Sequence, residues 1–371
     1  MDGSQPDTRA SSEQTRLVLI LAGGAGTRFW PASREEKPKQ FLDILGTGKS
    51  LLRQTYERSL RMTSPDRVFI VTNAAYTGLV LEQIPELDPE QVFPEPSRNN
   101  TAPCIAYASL KLQSRYPDAV CLVAPSDHLI EDTEEFTRIV LQGMRYALAH
   151  DALVTLGMSP TRPDTGYGYI QYLQDHGNES VYPVKRFTEK PDLRHAQEFI
   201  RSGDYLWNSG MFIWSLGAIL TAFRLHAPGI IDILGAGTQY YFTKNESGFL
   251  ERDYPGTEKI SIDYAIMERA QNVFVIPATF GWSDLGTWTA LYDHLQSDAN
   301  GNIVVHKPVL LDNCHGTMIR TINGKLVVAS GLQDFIVVND DDVILIFPKD
   351  QEQEIKRLRE DVRDHGLDQF M

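Results

Sequence analysis

Apolar and polar positions along the chain change period several times. Leu17-Val18-Leu19-Ile20-Leu21 is an unbroken apolar run ending in Ala22-Gly23-Gly24, the pattern of a buried strand entering a glycine loop. Helical spacing follows over 50–62, with Ser50 placed as its N-cap. Residues 67–72 read as a strand, 101–112 as a helix, 119–124 as a buried strand, 134–149 as a helix and 152–156 as a strand. Strands alternating with helices predict a mostly parallel sheet covered on both faces.

The middle of the chain changes character. Residues 168–172 and 184–187 read as antiparallel additions and 207–214 as a further strand, with helices near 216–225 and 262–270. Residues 281–286 open one more helix, reaching about 294. Beyond that point short β-rich runs at 302–305, 309–311, 316–320, 326–329, 335–339 and 343–347 are split by Gly, Asn and Asp. They predict a small β-solenoid or sandwich, closed by a charged helix over 351–361. The expected division is a polar tail over 1–16, a catalytic domain over 17–296 and a small β-rich, left-handed β-helix-like domain over 297–371.

Composition narrows the classes of function. With 371 residues, 42% hydrophobic and 23% charged, the chain can bury a real core in one large or two ordinary domains. Lys+Arg number 35 against 49 Asp+Glu, a net charge of −14. That balance argues against nucleic-acid and membrane partners, which need a basic face. A phosphate-bearing substrate therefore needs a local basic cluster. Cys104, Cys121 and Cys314 form no CxxC pair and no disulfide framework, which suits a reducing, cytoplasmic setting. No apolar run reaches the ~18–20 residues of a transmembrane helix, and the N-terminus lacks a signal-peptide core.

Candidate chemistry sits at the ends of the expected strands. Ala22-Gly23-Gly24-Ala25-Gly26-Thr27-Arg28 follows one, where open α/β sheets bind ligands and glycines let backbone N–H groups approach phosphate. It is no dinucleotide fingerprint, because Phe29 stands where GxGxxG needs its last glycine. Gly48-Lys49-Ser50 is no Walker loop, because Asp43 stands where its first glycine belongs; 46–50 reads as a hairpin turn capping the next helix. Arg28, Arg34, Lys37 and Lys39 outnumber Glu35 and Glu36, as a triphosphate-neutralising arm or a solvated loop would. Asp127, delivered by the 119–124 strand, and Asp284 are each either helix caps or Mg²⁺ carboxylates. His128 reads as support for Asp127 rather than as a ligand. Segments 165–170, 187–191 and 207–211 offer aromatic walls, an adjacent Glu189 and Lys190, and the amide of Asn208, as a sugar pocket or as ordinary turns and strand ends.

The strings LAGGAGTRFWPASREEKPKQF, EPSRNNTAPCIA, APSDH, TGYGYI, FTEKP, WNSGMFIW, ISIDYAIMER and GWSDLGTW, in this order over roughly 17–290, resemble the sugar nucleotidylyltransferases, and most closely the mannose-1-phosphate guanylyltransferases. The resemblance implies an α/β, Rossmann-like nucleotide-diphospho-sugar transferase fold with a mixed, mostly parallel sheet and a short C-terminal β-helix-like segment. It implies conversion of GTP and mannose 1-phosphate to GDP-mannose and pyrophosphate with Mg²⁺, in a homodimer. By motif, Gly23, Gly24, Gly26, Thr27, Arg28 and Lys39 hold GTP, with Asn100 and Thr101 near its base. Asp127 and Asp284 hold Mg²⁺ and, with Arg28 and Lys39, form the catalytic set. Gly168, Glu189, Lys190, Asn208 and Asp263 bind mannose 1-phosphate. The resemblance leaves open another hexose 1-phosphate with UTP, dTTP or ATP, and a non-catalytic homologue that senses GDP-mannose. Two departures stand out. Asn99 occupies a position that is usually basic, with Arg98 one place earlier. Bifunctional relatives continue into a cupin-type isomerase domain, whereas this chain stops at Met371, so no isomerase activity is expected.

Overall fold

The computed structural model describes residues 15–24, 26–176, 180–322 and 324–371. The expected tail lies outside the described residues up to position 14. The chain divides into two compact units. Of the described residues, one holds those up to Gly23 with Tyr56–Pro125 and Ile130–Trp282; the other holds those of Gly24–Thr55, Ser126–Leu129 and Ser283–Met371.

The first unit is built on one nine-stranded sheet. Its strands are β1 (Arg16–Leu21), β2 (Val68–Asn73), β3 (Val92–Glu95), β4 (Val120–Pro125), β6 (Leu153–Met158), β7 (Tyr169–Tyr172), β8 (Tyr182–Thr188), β9 (Tyr205–Ser215) and β10 (Val273–Ala278), with the two-residue β5 (Leu129–Ile130) outside the sheet. The order is β3-β2-β1-β4-β9-β6-β10-β8-β7. Strands β1 to β4 pair in parallel, as do β6 and β10, while β9 runs antiparallel to both β4 and β6. The parallel half is the part that the alternating apolar runs foretold. Leu17 to Ile20 are 0–1% exposed, as two covered faces require.

Helices α1 (Leu51–Ser59), α2 (Thr77–Gln83), α3 (Thr101–Arg115), α4 (Thr133–Ala149), α5 (Leu193–Ser202), α6 (Leu216–His226), α7 (Pro228–Gly235) and α8 (Glu246–Asp253) complete this part of the chain. Helix α3 is buried continuously from Ala102 to Leu112, and packs with Phe93, Phe223 and Tyr254 in one apolar core. The helix expected over 262–270 is instead a π-helical turn, Asp263–Met267, a form that recurs at functional sites. Among the described residues no single helix is long and apolar enough to cross a membrane.

In the second unit β11 (Trp282–Ser283) leads to α9 (Trp288–His294), followed by six short strands: β12 (Ile303–Val305), β13 (Val309–Asp312), β14 (Met318–Thr321), β15 (Val327–Ser330), β16 (Phe335–Asn339) and β17 (Ile344–Pro348). β12, β14 and β16 stack in parallel, and so do β13 and β15. Alternate strands on two ladders make a solenoid rather than a sandwich. β17 turns back antiparallel on β16, and α10 (Ile355–Asp364) follows. The solenoid core takes Ile303, Met318, Ile336 and Val338 from these strands and Phe29, Trp30, Leu42 and Ile44 from the glycine-loop segment. That shared core is why the compact units cut the chain elsewhere than at 296.

Candidate active site

Of the residues expected on the phosphate side, Gly23 ends a segment of the first unit, and Gly24, Gly26, Thr27, Arg28, Lys39, Asp127 and Asp284 lie in the second. Gly26 has φ +59, and a Cβ there would meet Lys39 Cβ at 2.5 Å and Lys39 N at 2.8 Å. Only glycine fits this turn. Thr27–Phe29 and Lys39–Phe41 are short 3-10 turns at the two ends of the loop. Lys39 is 4% exposed. Its Nζ donates to Asp127 Oδ2 at 3.0 Å and to the Asp284 carbonyl at 2.6 Å. Gly26, Thr27, Arg28, Lys39, Asp127, His128, Asp284 and Gly286 line one cavity of about 370 Å³.

Neither aspartate is the helix cap it could have been. Asp132 caps α4 by accepting from Glu135 N, and Thr287 caps α9 by accepting from Ala290 N. Asp284 Oδ1 accepts from Gly286 N at 3.0 Å. Burial alone pushes the Asp127 carboxyl up, but the charges of Lys39 and His128 and the Lys39 hydrogen bond outweigh it and hold the group below its ordinary value. Asp127 is therefore ionised at neutral pH.

Two carboxylates on one cavity fit a magnesium ion that shares its remaining positions with phosphate oxygens and water. Among the described residues no three His, Cys, Asp or Glu gather as a protein-only metal cage. The basic arm separates into two roles. Arg28 and Lys39 line the cavity, Lys37 is exposed, and Arg34 pairs with Asp342. The 46–50 segment is no hairpin: the Asp43 carboxylate gathers Thr47 N and Gly48 N, at 2.9 and 2.7 Å. Ser50 Oγ accepts from Arg53 N at 3.2 Å, capping α1. Gln40, a residue no sequence signal singled out, is 1% exposed and donates to the Gly24 carbonyl at 2.9 Å.

The sugar-side residues lie in the first unit. A Cβ on Gly168 would run into Glu189 Oε2 and stand 3.3 Å from Asn208 Cβ. Here glycine serves close approach, since its φ is ordinary. Asn208 N donates to the Gly168 carbonyl at 2.8 Å, and Asn208 Nδ2 donates to Asp263 Oδ1 at 2.9 Å. Thr155 Oγ1 and Gly210 N donate to Asn208 Oδ1, at 3.2 and 3.1 Å. Glu189 pairs with Lys190 at 2.8 Å. Tyr167 packs on Trp207 and Trp282, with centroids 5.1 and 5.2 Å apart. The structure thus links Gly168, Asn208 and Asp263 by hydrogen bonds and sets the Glu189–Lys190 pair beside them, where a Cβ on Gly168 would meet Glu189 and the Glu189 charge acts on Asp263.

Burial, then the Glu189 charge, push the Asp263 carboxyl up from 3.8 to about 6. An acid raised in this way is stabilised by folding in its protonated form, so its contribution is fully present below its unfolded value and is lost as pH rises through about 4 to 6. Asp263→Asn is expected to gain about 1–3 kcal/mol relative to wild type between pH 4 and pH 7. Urea unfolding at both pH values measures this, and parallel curves for the two proteins contradict it.

The expected base-side pair is placed less suggestively. Asn100 has φ 70 and caps α3 by accepting from Thr101 N, while Thr101 Oγ1 accepts from Ile262 N at 2.9 Å. Asn99 is fully buried, and its amide donates to Tyr254 O and Thr257 O. A charge at 99 has no exit to solvent, and Arg98 instead donates to the Tyr76 hydroxyl. Glu95, also unforeseen, ends β3, accepts from the Tyr254 hydroxyl, and is raised by burial to about 7. Its Oε2 lies 3.4 Å from where a Cβ on Gly23 would stand.

Residues 17–301 match the family model described as nucleotidyl transferase, and residues 307–361 match a MannoseP isomerase/GMP-like beta-helix domain. The xanthan biosynthesis protein XanB of Xanthomonas campestris pv. campestris (strain B100) is 37% identical over 355 residues, spanning 94% of this chain and 74% of that one. A mannose-1-phosphate guanylyltransferase of Escherichia coli is 34% identical over 355 residues, spanning 92% and 74%. A solved structure from Thermus thermophilus, named as a mannose-1-phosphate geranyltransferase, superposes with a TM-score of 0.84 at 30% identity, covering 94% of this chain and 99% of that one. This chain belongs to the nucleotidyl transferase family, with the nucleotide-diphospho-sugar transferase fold and a β-helix-like C-terminal segment.

Proposed function

We propose that the chain transfers guanylyl from GTP to mannose 1-phosphate, giving GDP-mannose and pyrophosphate with Mg²⁺. The observation that carries this reading is Lys39, held between Asp127 and the Asp284 backbone in a cavity also lined by Gly26, Thr27 and Arg28. An anionic triphosphate needs such a local cluster in a chain of net charge −14. Gly23, Gly24, Gly26, Thr27, Arg28 and Lys39 serve GTP. Asn100 and Thr101, at the start of α3, serve its base. Asp127 and Asp284 hold Mg²⁺, which when bound neutralises charge on the phosphates.

Glu189 and Asp263 accept hydrogen bonds from mannose hydroxyls, Asn208 donates and accepts beside them, and Lys190 pairs with the sugar phosphate. A phosphate oxygen of mannose 1-phosphate attacks the α-phosphorus of GTP, and the α–β bridging bond breaks to release pyrophosphate. The attacking oxygen is already ionised at neutral pH, so no side chain need take a proton. The protein's part is positioning and charge neutralisation.

A pyrophosphate-release assay over GTP, ATP, UTP and dTTP against mannose, glucose and GlcNAc 1-phosphates tests the reading. Fastest turnover is expected with GTP and mannose 1-phosphate; a different best pair overturns the substrate assignment. The exposed Leu310, Leu326, Val328, Ile344 and Ile346 on β13, β15 and β17 and their flanks support a homodimer that covers this face. Sedimentation of wild type as a monomer contradicts it. Three free, buried cysteines suit a cytoplasmic protein.

A further inference from the structure

We propose that the end of the second unit is a strap that positions the phosphate loop: Asp342, Arg359, Arg363 and the Phe370 carbonyl hold residues 30–35 so that Arg28 and Lys39 keep their places at either end. The inference rests on the nucleotidyl-transfer reading of the cavity. Between Gly26 and Leu42 the chain has only two three-residue turns. Its middle has backbone bonds from Ser33 N to Phe29 O at 2.9 Å and a reciprocal pair between Arg34 and Lys37 at 3.2 Å.

Beyond the apolar packing of Phe29, Trp30 and Leu42, three polar contacts tie the stretch between the cavity residues to the end of the chain. The Trp30 indole, 5% exposed, donates to Phe370 O at 2.8 Å. The Arg34 guanidinium forks onto both Asp342 oxygens, at 3.0 Å for Nη1, and its Nε donates to Pro31 O at 3.1 Å. Arg34 thus joins the loop backbone to the turn before β17. Glu35 faces Arg359 and Arg363 at 3.4 and 3.7 Å. None of these residues lines the phosphate cavity. Asp342 is 44% exposed at its side chain, and ion pairs this open add little to global stability. A bidentate arginine fork does fix geometry, and small displacements of binding groups carry large kinetic penalties.

The test separates positioning from stability in the full chain. Asp342→Ala and Arg34→Ala are each expected to raise KM for GTP about 10-fold. KM for mannose 1-phosphate should stay within about 2-fold and Tm within about 2 °C. Hydrogen exchange of the 27–39 amides should speed up in both variants. The reversed pair, Arg34→Asp with Asp342→Arg, should recover most of the GTP KM. Unchanged KM and unchanged exchange in Asp342→Ala, or a reversed pair no better than either single variant, overturn the strap. The exchange readout needs no turnover, so a failed substrate assignment leaves the strap testable by itself. If Asp342→Ala lowers Tm by more than about 5 °C, Glu35→Ala gives the same decision from the other anchor.

Discussion

Asp127→Asn and Asp284→Asn are each expected to lower kcat about 100-fold or more while the protein remains folded. Asparagine keeps the shape of aspartate and deletes its charge. At 284 an amide oxygen can still accept from Gly286 N, so the turn before α9 survives. At 127 the amide oxygen can still accept from Lys39, but Lys39 loses its counter-charge. The loss in both cases is the negative charge facing a cation-and-phosphate cavity. KM for mannose 1-phosphate should change little, because none of its proposed partners, from Gly168 to Asp263, lines the cavity that holds Asp127 and Asp284. Full magnesium-dependent turnover by either variant in the pyrophosphate assay removes the residue from the catalytic set.

Gly26→Ala is expected to lower kcat/KM for GTP about 100-fold. A methyl there meets the Lys39 backbone nitrogen at 2.8 Å and Ser33 Oγ at 2.9 Å, on a residue already at φ +59. The serine can rotate; the backbone of a buried 3-10 turn cannot yield without moving Lys39 itself. The strain is worth about 1–3 kcal/mol, so a lower Tm should accompany the kinetic loss. Steady-state kinetics at limiting GTP decide this, and wild-type kcat/KM in the alanine variant contradicts the tight turn.

Much of the scaffold was legible because apolar runs report burial directly. β1, β2, β4 and β6 fall on the unbroken apolar segments, and all six short runs after 302 form strands. The pairing of those strands was not legible, since sandwich and solenoid share one local pattern and differ in register. The 262–270 segment has helical spacing, yet only a π turn forms around Asp263, whose carboxylate is engaged by Asn208 from β9. Aspartate roles were ambiguous for a similar reason. Asp127 and Asp284 could cap helices by local sequence, and only the structure shows Asp132 and Thr287 doing so. Arg34 and Lys37 looked like Arg28 and Lys39 because the partner that distinguishes Arg34 stands 308 positions away. Gln40 and Glu95 lie inside the strings KPKQF and EPSRNN, which assign neither of them a role. Their importance lies in contacts with the Gly24 carbonyl and with Tyr254.

In the proposed reaction Asp127 and Asp284 would together hold one divalent ion when the nucleotide is bound. Electron paramagnetic resonance titration of Mn²⁺, with and without GTP, tests it in wild type and in each asparagine variant. Wild type should bind one Mn²⁺ tightly only when GTP is present, and either variant should weaken that binding about 10-fold or more. Equal Mn²⁺ affinity in wild type and both variants contradicts the shared ion.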